Sequence, residues 1–260
     1  MIIIKIGGSL TKDKEVLENL CREIENLSAD FDFVIIPGGG EFADIVRIYD
    51  KKFNLAPGIS HKMAILAMDQ TGLLISSFFY CSVNDKKYRD FRVYEEISRR
   101  QSHKVYSGIS CRNSDIISKF SARKFYYYEK PMPIFNEQDK IKILIPSRFL
   151  FDIPETEIKP SWDITSDSIA AYVAGKLRAE KLIILTDVDG IYDSDPDKNR
   201  NAKLIKKINI RELVNFGEAC IDKKFHEFLK TDCAVINGKF PERISDVVEG
   251  REFIGTEILV

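Results

Sequence analysis

Short apolar runs alternate with amphipathic stretches along most of the chain. Ile2-Ile3-Ile4-Lys5-Ile6 is β-branched with one polar residue, and Phe33-Val34-Ile35-Ile36 is apolar throughout. Ile141 to Ile145, Lys181 to Thr186 and Ala234 to Asn237 have the same character. Runs of this length and composition predict buried strands. Val16, Leu17, Leu20, Ile24 and Leu27 recur at helical spacing with charged residues between them, which predicts an amphipathic helix. A second helix is predicted from Glu41. A third runs from Ser60, as its N-cap, to about Phe79, with Ile65, Leu66, Leu73 and Leu74 as its inner face. A fourth passes through Ile169 to Leu177 and is capped by Ser166 or Asp167. Further helices are expected from about Ile210 and over Ile244 to Val248, with a last strand, Thr256 to Val260, completing the sheet. This alternation builds an α/β fold around a mainly parallel sheet with right-handed crossovers.

Three of the strands run into polar or glycine turns. Lys5-Ile6 is followed by Gly7-Gly8-Ser9, Pro37 by Gly38-Gly39-Gly40, and Thr186 by Asp187-Val188-Asp189-Gly190. Parallel strands put such turns at one carboxyl edge of the sheet, where α/β proteins bind ligands. A lysine inside an apolar strand costs free energy unless an anion meets it. Glycines bring bare N–H groups to a ligand, and a following helix points its positive end the same way. A phosphate chain satisfies all three demands. A plain strand-turn-helix with an exposed lysine is the competing reading of the stretch alone.

Composition narrows the class. The 260 residues are 44% hydrophobic and 30% charged with net charge −1, which marks a globular chain without a global basic surface. No nucleic acid or membrane partner is expected. Five scattered cysteines and three histidines form no metal or redox spacing. The thiols read as reduced, which points to a cytoplasmic protein. The acidic loop Asp193 to Asn199 lacks the spacing of a calcium loop. Between about Val83 and Lys140 the pattern is weakest. Phe91 to Tyr94 and Lys104 to Tyr106 alternate like strands, Ser110 to Ser121 suggests a helix, and the tyrosine-rich 123–130 suits a half-buried strand better than a base-stacking surface.

Taken together, Lys5-Ile6-Gly7-Gly8-Ser9, Pro37-Gly38-Gly39-Gly40, Thr165-Ser166-Asp167 and Leu185 to Tyr192 resemble, in order and spacing, the amino acid kinase superfamily. Ile254-Gly255-Thr256 is similar to that family's last motif. The resemblance implies a three-layer αβα sandwich and transfer of the γ-phosphoryl group of ATP, with Mg2+, to a small molecule. It implies one domain over residues 1–260, with the acceptor part about 1–160 and the nucleotide part about 161–260. Lys5 would sit on the transferring group and Asp167 would orient it. Gly7, Gly8 and Ser9 would bind the phosphate chain. Thr186, Asp187, Gly190, Tyr192, Asp195 and Lys206 would line the nucleotide site, and Gly38, Gly39, Gly40 and Thr165 the acceptor site. The family's second lysine follows a glycine segment that is replaced here by Cys220 to His226, so Lys203, Lys206, Lys223 and Lys224 are all open for that role. Family members are often homo-oligomers.

The acceptor stretch Glu41-Phe42-Ala43-Asp44 puts a carboxylate where isopentenyl phosphate kinases carry histidine. The stretches His61 to Gln70 and Ser161 to Ser168 resemble an archaeal branch of methanofuran biosynthesis, whose acceptor carries both a phosphate and an ammonium group. Arg47 or His61 would then take the phosphate, and Asp44, Asp69 or Asp163 the ammonium. Uridylate or isopentenyl phosphate kinase is the alternative within the family. A non-catalytic nucleotide-binding or storage protein is the alternative outside it.

Overall fold

The computed structural model describes residues 1–79, 140–196, 198–214 and 220–260. The strands and helix expected between Phe91 and Lys130 lie outside these. Seven strands form one sheet: β1 (Ile2–Ile6), β2 (Phe33–Pro37), β3 (Ile141–Ile143), β4 (Lys181–Thr186), β5 (Lys207–Asn209), β6 (Cys233–Asn237) and β7 (Thr256–Leu259), in the order β3-β2-β1-β4-β6-β7-β5. Each neighbouring pair is parallel except β6 with β7. The last strand therefore lies inside the sheet. Its outer edge is β5, whose three residues are too few to show a period in the sequence.

Helices cover both faces, as the sandwich requires. Ile2, Ile4 and Ile6 pack with α1 (Lys14–Leu27), while Ile3 on the opposite face packs with the helix Ser166–Leu177. Lys5 shares the parity of Ile3, so its side chain leaves β1 on the face of that second helix. Asp13 caps α1 by accepting from Glu15 N and Val16 N.

Beyond β2 come α2 (Gly40–Phe53) and α3 (Pro57–Phe79). The latter starts at Pro57, so Ser60 lies in its first turn and donates to Pro57 O instead of capping it. Its buried face is Ile65, Met68, Gly72, Ile75 and Phe79, whereas Leu66, Leu73 and Leu74 are exposed. A helix that is apolar nearly all round gives no periodic signal for its inner face. The remaining helices are α4 (Pro146–Leu150), α5 (Ser166–Leu177), α6 (Ile210–Leu213), α7 (Phe225–Phe228) and α8 (Glu242–Val248). No helix among the described residues is long and apolar enough to cross a membrane.

Candidate active site

β1, β2 and β4 end level with one another: Ile6 is in register with Pro37 on one side and Leu185 on the other. The three turns consequently leave one edge side by side. The ladder continues one residue past the strands, with Gly7 N–H donating to Leu185 O at 2.9 Å and Gly38 N–H to Ile6 O at 2.8 Å. Those two amides are spent inside the protein, which corrects their expected service to ligands. Gly8 and Ser9 open a 3-10 helix (Gly8–Lys12) and Gly40 opens α2, where first-turn amides have no acceptor in their own helix. A Cβ on Gly8 would lie 2.4 Å from Gly40 N, so the two turns touch backbone to backbone. Gly40 also has φ +55°. Thr11 Oγ1 donates to Gly8 O at 2.8 Å, and the buried Thr71 Oγ1 lies 3.2 Å from Gly39 O, fixing both turns from behind.

Lys5 is 6% exposed and its Nζ lies 2.6 Å from Asp167 Oδ1, in the first turn of α5. Burial pushes the Asp167 carboxyl up, the Lys5 ammonium pulls it down, and the nearby charge of Asp222 pushes it up again. The net direction is upward. Removing one member of a buried pair leaves the other uncompensated, typically at ~3–5 kcal/mol.

The expected cap of α5 is corrected. Neither Ser166 nor Asp167 caps it; Thr165 is the N-cap residue, and its side chain makes no local cap bond. Asp222, far along the chain, does that work. Its Oδ2 accepts from Thr165 N, Thr165 Oγ1 and Ser168 N, each at 2.9 Å, and its Oδ1 accepts from Ser168 Oγ. The Thr165 hydroxyl hydrogen is thus committed to Asp222, while the residue still lines the cavity.

An open cavity of about 580 Å³ adjoins the paired turns. Gly8, Ser9, Gly39 and Gly40 line it, with Asp44, Arg47, His61, Asp163 and Thr165 from the expected acceptor set. Asp69 does not: its carboxylate accepts from Ser147 N at 3.0 Å and anchors the start of α4. Asp44 and Arg47 pair with each other at 2.7 Å, both about half exposed. Burial lowers the pKa of His61 against the pull of Glu155, which favours its neutral form.

Three further lining residues carry polar chemistry that the sequence reading passed over. Trp162 forms part of the wall, its indole N–H donating to Asp50 Oδ2 at 2.7 Å, with the Arg47 guanidinium 5.0 Å from its ring centroid. Lys12 brings an exposed ammonium beside Gly8 and Ser9. Asp44, Arg47 and Asp50 recur three apart on α2, a spacing that places them on one helix face.

The expected nucleotide residues occupy the loop from the end of β4 to β5. Thr186 is buried at the strand end, with Asp187 beside it. Gly190 packs so closely on Thr256 that a Cβ would meet its Oγ1 at 2.6 Å. Tyr192 bridges to Leu204, Asp195 pairs with Lys198 at 2.7 Å, and Lys206 pairs with Glu252 at 3.3 Å. Asp189 holds this turn to β6 and α8: its Oδ1 accepts from Arg243 at 2.6 Å and from Asn237 at 3.2 Å. Burial alone would push its carboxyl up, but Arg243 and Asn237 outweigh that and hold it below the usual range.

Comparison with known proteins agrees with this geometry. Residues 1–231 match the Amino acid kinase family. The [5-(aminomethyl)furan-3-yl]methyl phosphate kinase of Methanocaldococcus jannaschii is 34% identical over 264 residues, spanning 100% of this chain and 98% of that protein. The isopentenyl phosphate kinase of Thermoplasma acidophilum is 29% identical over 99% of this chain and 100% of that one. Among solved structures, the uridylate kinase of Archaeoglobus fulgidus shares the fold, with TM-score 0.62 at 19% identity over 99% of both chains. The chain therefore belongs to the amino acid kinase family, and it is a phosphotransferase.

Proposed function

We propose that this kinase transfers the γ-phosphoryl group of ATP to the phosphate of a small, amine-bearing phosphate monoester. In this proposal the acceptor is (5-(aminomethyl)furan-3-yl)methyl phosphate and the product its diphosphate, in methanofuran biosynthesis. The observation that carries the reading is the buried Lys5–Asp167 pair at the level of two touching glycine turns that open on one cavity. A phosphate acceptor is already an oxyanion near neutral pH, so the chemistry asks for charge stabilisation and alignment more than for a general base. One of its oxygens forms the new P–O bond as the bond to departing ADP breaks. Lys5, kept in place by Asp167, offsets the charge on the phosphoryl group in flight. Magnesium, when bound, neutralises phosphate charge, held largely by phosphate oxygens and water. The amides of Gly8, Ser9 and Gly40 hold phosphate oxygens, and Lys12, which lines the same cavity, supplies a further cation.

The cavity's charges favour an acceptor with both signs. Arg47 suits its phosphate and Asp44 or Asp163 its ammonium, while Trp162 offers a flat wall to a planar ring. An exposed pair such as Asp44–Arg47 contributes at most about 1 kcal/mol, so a ligand bearing both charges can replace each partner. The relative from M. jannaschii, similar over the full chain, supports the same acceptor. Residues 160–166 and Ile169 line the cavity together with α2 and α3, which supports an acceptor part that reaches past residue 160. Phe42, Ile45, Tyr49 and Phe53 on α2 and Ile59 and Leu66 on α3 are exposed, which suits a homo-oligomer.

The test is ADP release with ATP and a panel of three acceptors: the aminomethylfuran phosphate, uridylate and isopentenyl phosphate. The proposal expects the highest kcat/KM with the first. Preference for either of the others would overturn the acceptor, and no turnover with any would overturn the kinase of phosphate monoesters.

A further inference from the structure

Asp222 holds the start of α5 around Asp167. Its carboxylate accepts from the backbone N–H and the hydroxyl of Thr165, the N-cap residue, and of Ser168 in the first turn. Thr165 and Ser168 stand on either side of Asp167, whose carboxylate is 2.6 Å from Lys5 Nζ. The same short segment is fastened on its other side, where Cys220 Sγ donates to Gly190 O at 3.4 Å in the turn after β4. Burial pushes that thiol up to about 12, so it stays a protonated donor.

An α-helix normally meets the needs of its first amides from a side chain at its own N-cap. Here the acceptor is borrowed from a segment more than fifty residues away, and it grips the residues on both sides of the aspartate that holds Lys5. A cap borrowed across the fold ties the rotation and height of the first turn of α5, and with them Asp167, to the Cys220–Lys224 segment.

We infer that Asp222 is a positioning residue for phosphoryl transfer, holding Asp167 and through it Lys5 in the geometry the reaction needs. This rests on the reading of Lys5 and Asp167 as the catalytic pair. Asp222 acts through Asp167 and takes no part in the bond changes.

A charge effect separates positioning from simple support. The groups facing Asp167 are Lys5 from β1, Asp222 and Cys220 from the segment before α7, and Cys233 from β6. Of these, Asp222 is the negative one, and it disfavours ionisation of Asp167. Replacing its charge therefore eases that ionisation while loosening the geometry.

The experiment compares Asp222→Asn, Asp222→Glu and Ser168→Ala with the natural chain. For Asp222→Asn, kcat is expected to fall about 10- to 100-fold, with KM for ATP and acceptor changed less than about threefold, as when a transition-state interaction alone is lost. The acid limb of kcat should move to lower pH. Asp222→Glu keeps the charge and should leave that limb in place, and Ser168→Ala should lower kcat several-fold with the limb also unmoved. In parallel, 13C NMR of labelled aspartate, with Asp167 assigned through Asp167→Asn, reads the ionisation of Asp167 without turnover. A lower midpoint in Asp222→Asn supports the inference. An unchanged midpoint, or a lower melting temperature with kcat intact, overturns it. If Asp222→Asn does not fold, Ser168→Ala decides: kcat unchanged contradicts the role. A natural chain inactive on every phosphate monoester would sink the functional reading while the NMR result still judged Asp222.

Discussion

The Lys5–Asp167 pair and the cavity proposed for the acceptor sit at the same sheet edge but are built in opposite ways. Lys5 and Asp167 are buried, 2.6 Å apart, and framed by a network in which each of four donors meets Asp222. The cavity is open, and its main ion pair, Asp44–Arg47, is half exposed and local to one helix. The contrast shows a division of labour. Charge stabilisation of a phosphoryl group needs preorganised, water-poor surroundings. On the proposed function, acceptor recognition would use side chains that a ligand can re-pair, leaving the Lys5–Asp167 pair untouched.

The largest expected effect breaks the rigid side. Lys5→Met should lower kcat by about 10²–10³-fold, the range for losing a preorganised charge-stabilising donor. ATP binding, followed by calorimetry, should stay measurable. The methionine fills the volume but leaves Asp167 unpaired, so the double variant Lys5→Met with Asp167→Asn should be the more stable of the two.

The open side should respond in KM. Asp44→Asn is expected to raise KM for the amine-bearing acceptor about tenfold, or ~1.4 kcal/mol, with kcat preserved. The same change should leave KM for isopentenyl phosphate within about twofold. Equal effects on both acceptors would remove Asp44 from ammonium recognition. His61, whose burial disfavours the charged ring, should matter less than Arg47.

Trp162 gives a smaller but more local signal. It is the chain's one tryptophan, so intrinsic fluorescence reports the cavity wall alone. Acceptor binding that displaces Arg47 from the ring should change the emission, and Asp50→Asn, which weakens the grip on the indole N–H, should reduce acceptor affinity. Emission that ignores acceptor at saturating concentration would place the ligand elsewhere.

These two regions were not equally legible in the sequence. Lys5 announced itself because a lysine within four isoleucines needs an anion, and the level glycine turns followed from strand-turn-helix repetition. Asp222 was hidden, since it caps a helix 54 to 57 residues away and no local pattern encodes a borrowed cap. Asp69 looked equivalent to Asp44 until the fold placed it against Ser147. The inner face of α3 is not legible because apolar side chains occupy both its buried and its exposed sides, while Asp50 is recoverable from its three-residue spacing to Arg47.

The smallest predicted effect lies in the nucleotide-side turn. The Asp189 carboxyl is held below its unfolded value by Arg243 and Asn237. Its contribution to stability is therefore present above the unfolded pKa, ~3.9, and is lost as pH falls through the folded value. Melting temperatures of the natural chain and Asp189→Asn should differ near neutrality and converge in acid. Curves that stay parallel down to about pH 2 would deny the pair that role.

The most direct test of the whole account is a crystal structure with a non-hydrolysable ATP analogue and the acceptor phosphate bound together. It should show Lys5 Nζ within about 3 Å of a γ-phosphate oxygen, and the acceptor phosphate on the amides of Gly8 and Gly40. Nucleotide phosphates more than about 6 Å from Lys5, beyond direct hydrogen bonding, would contradict it.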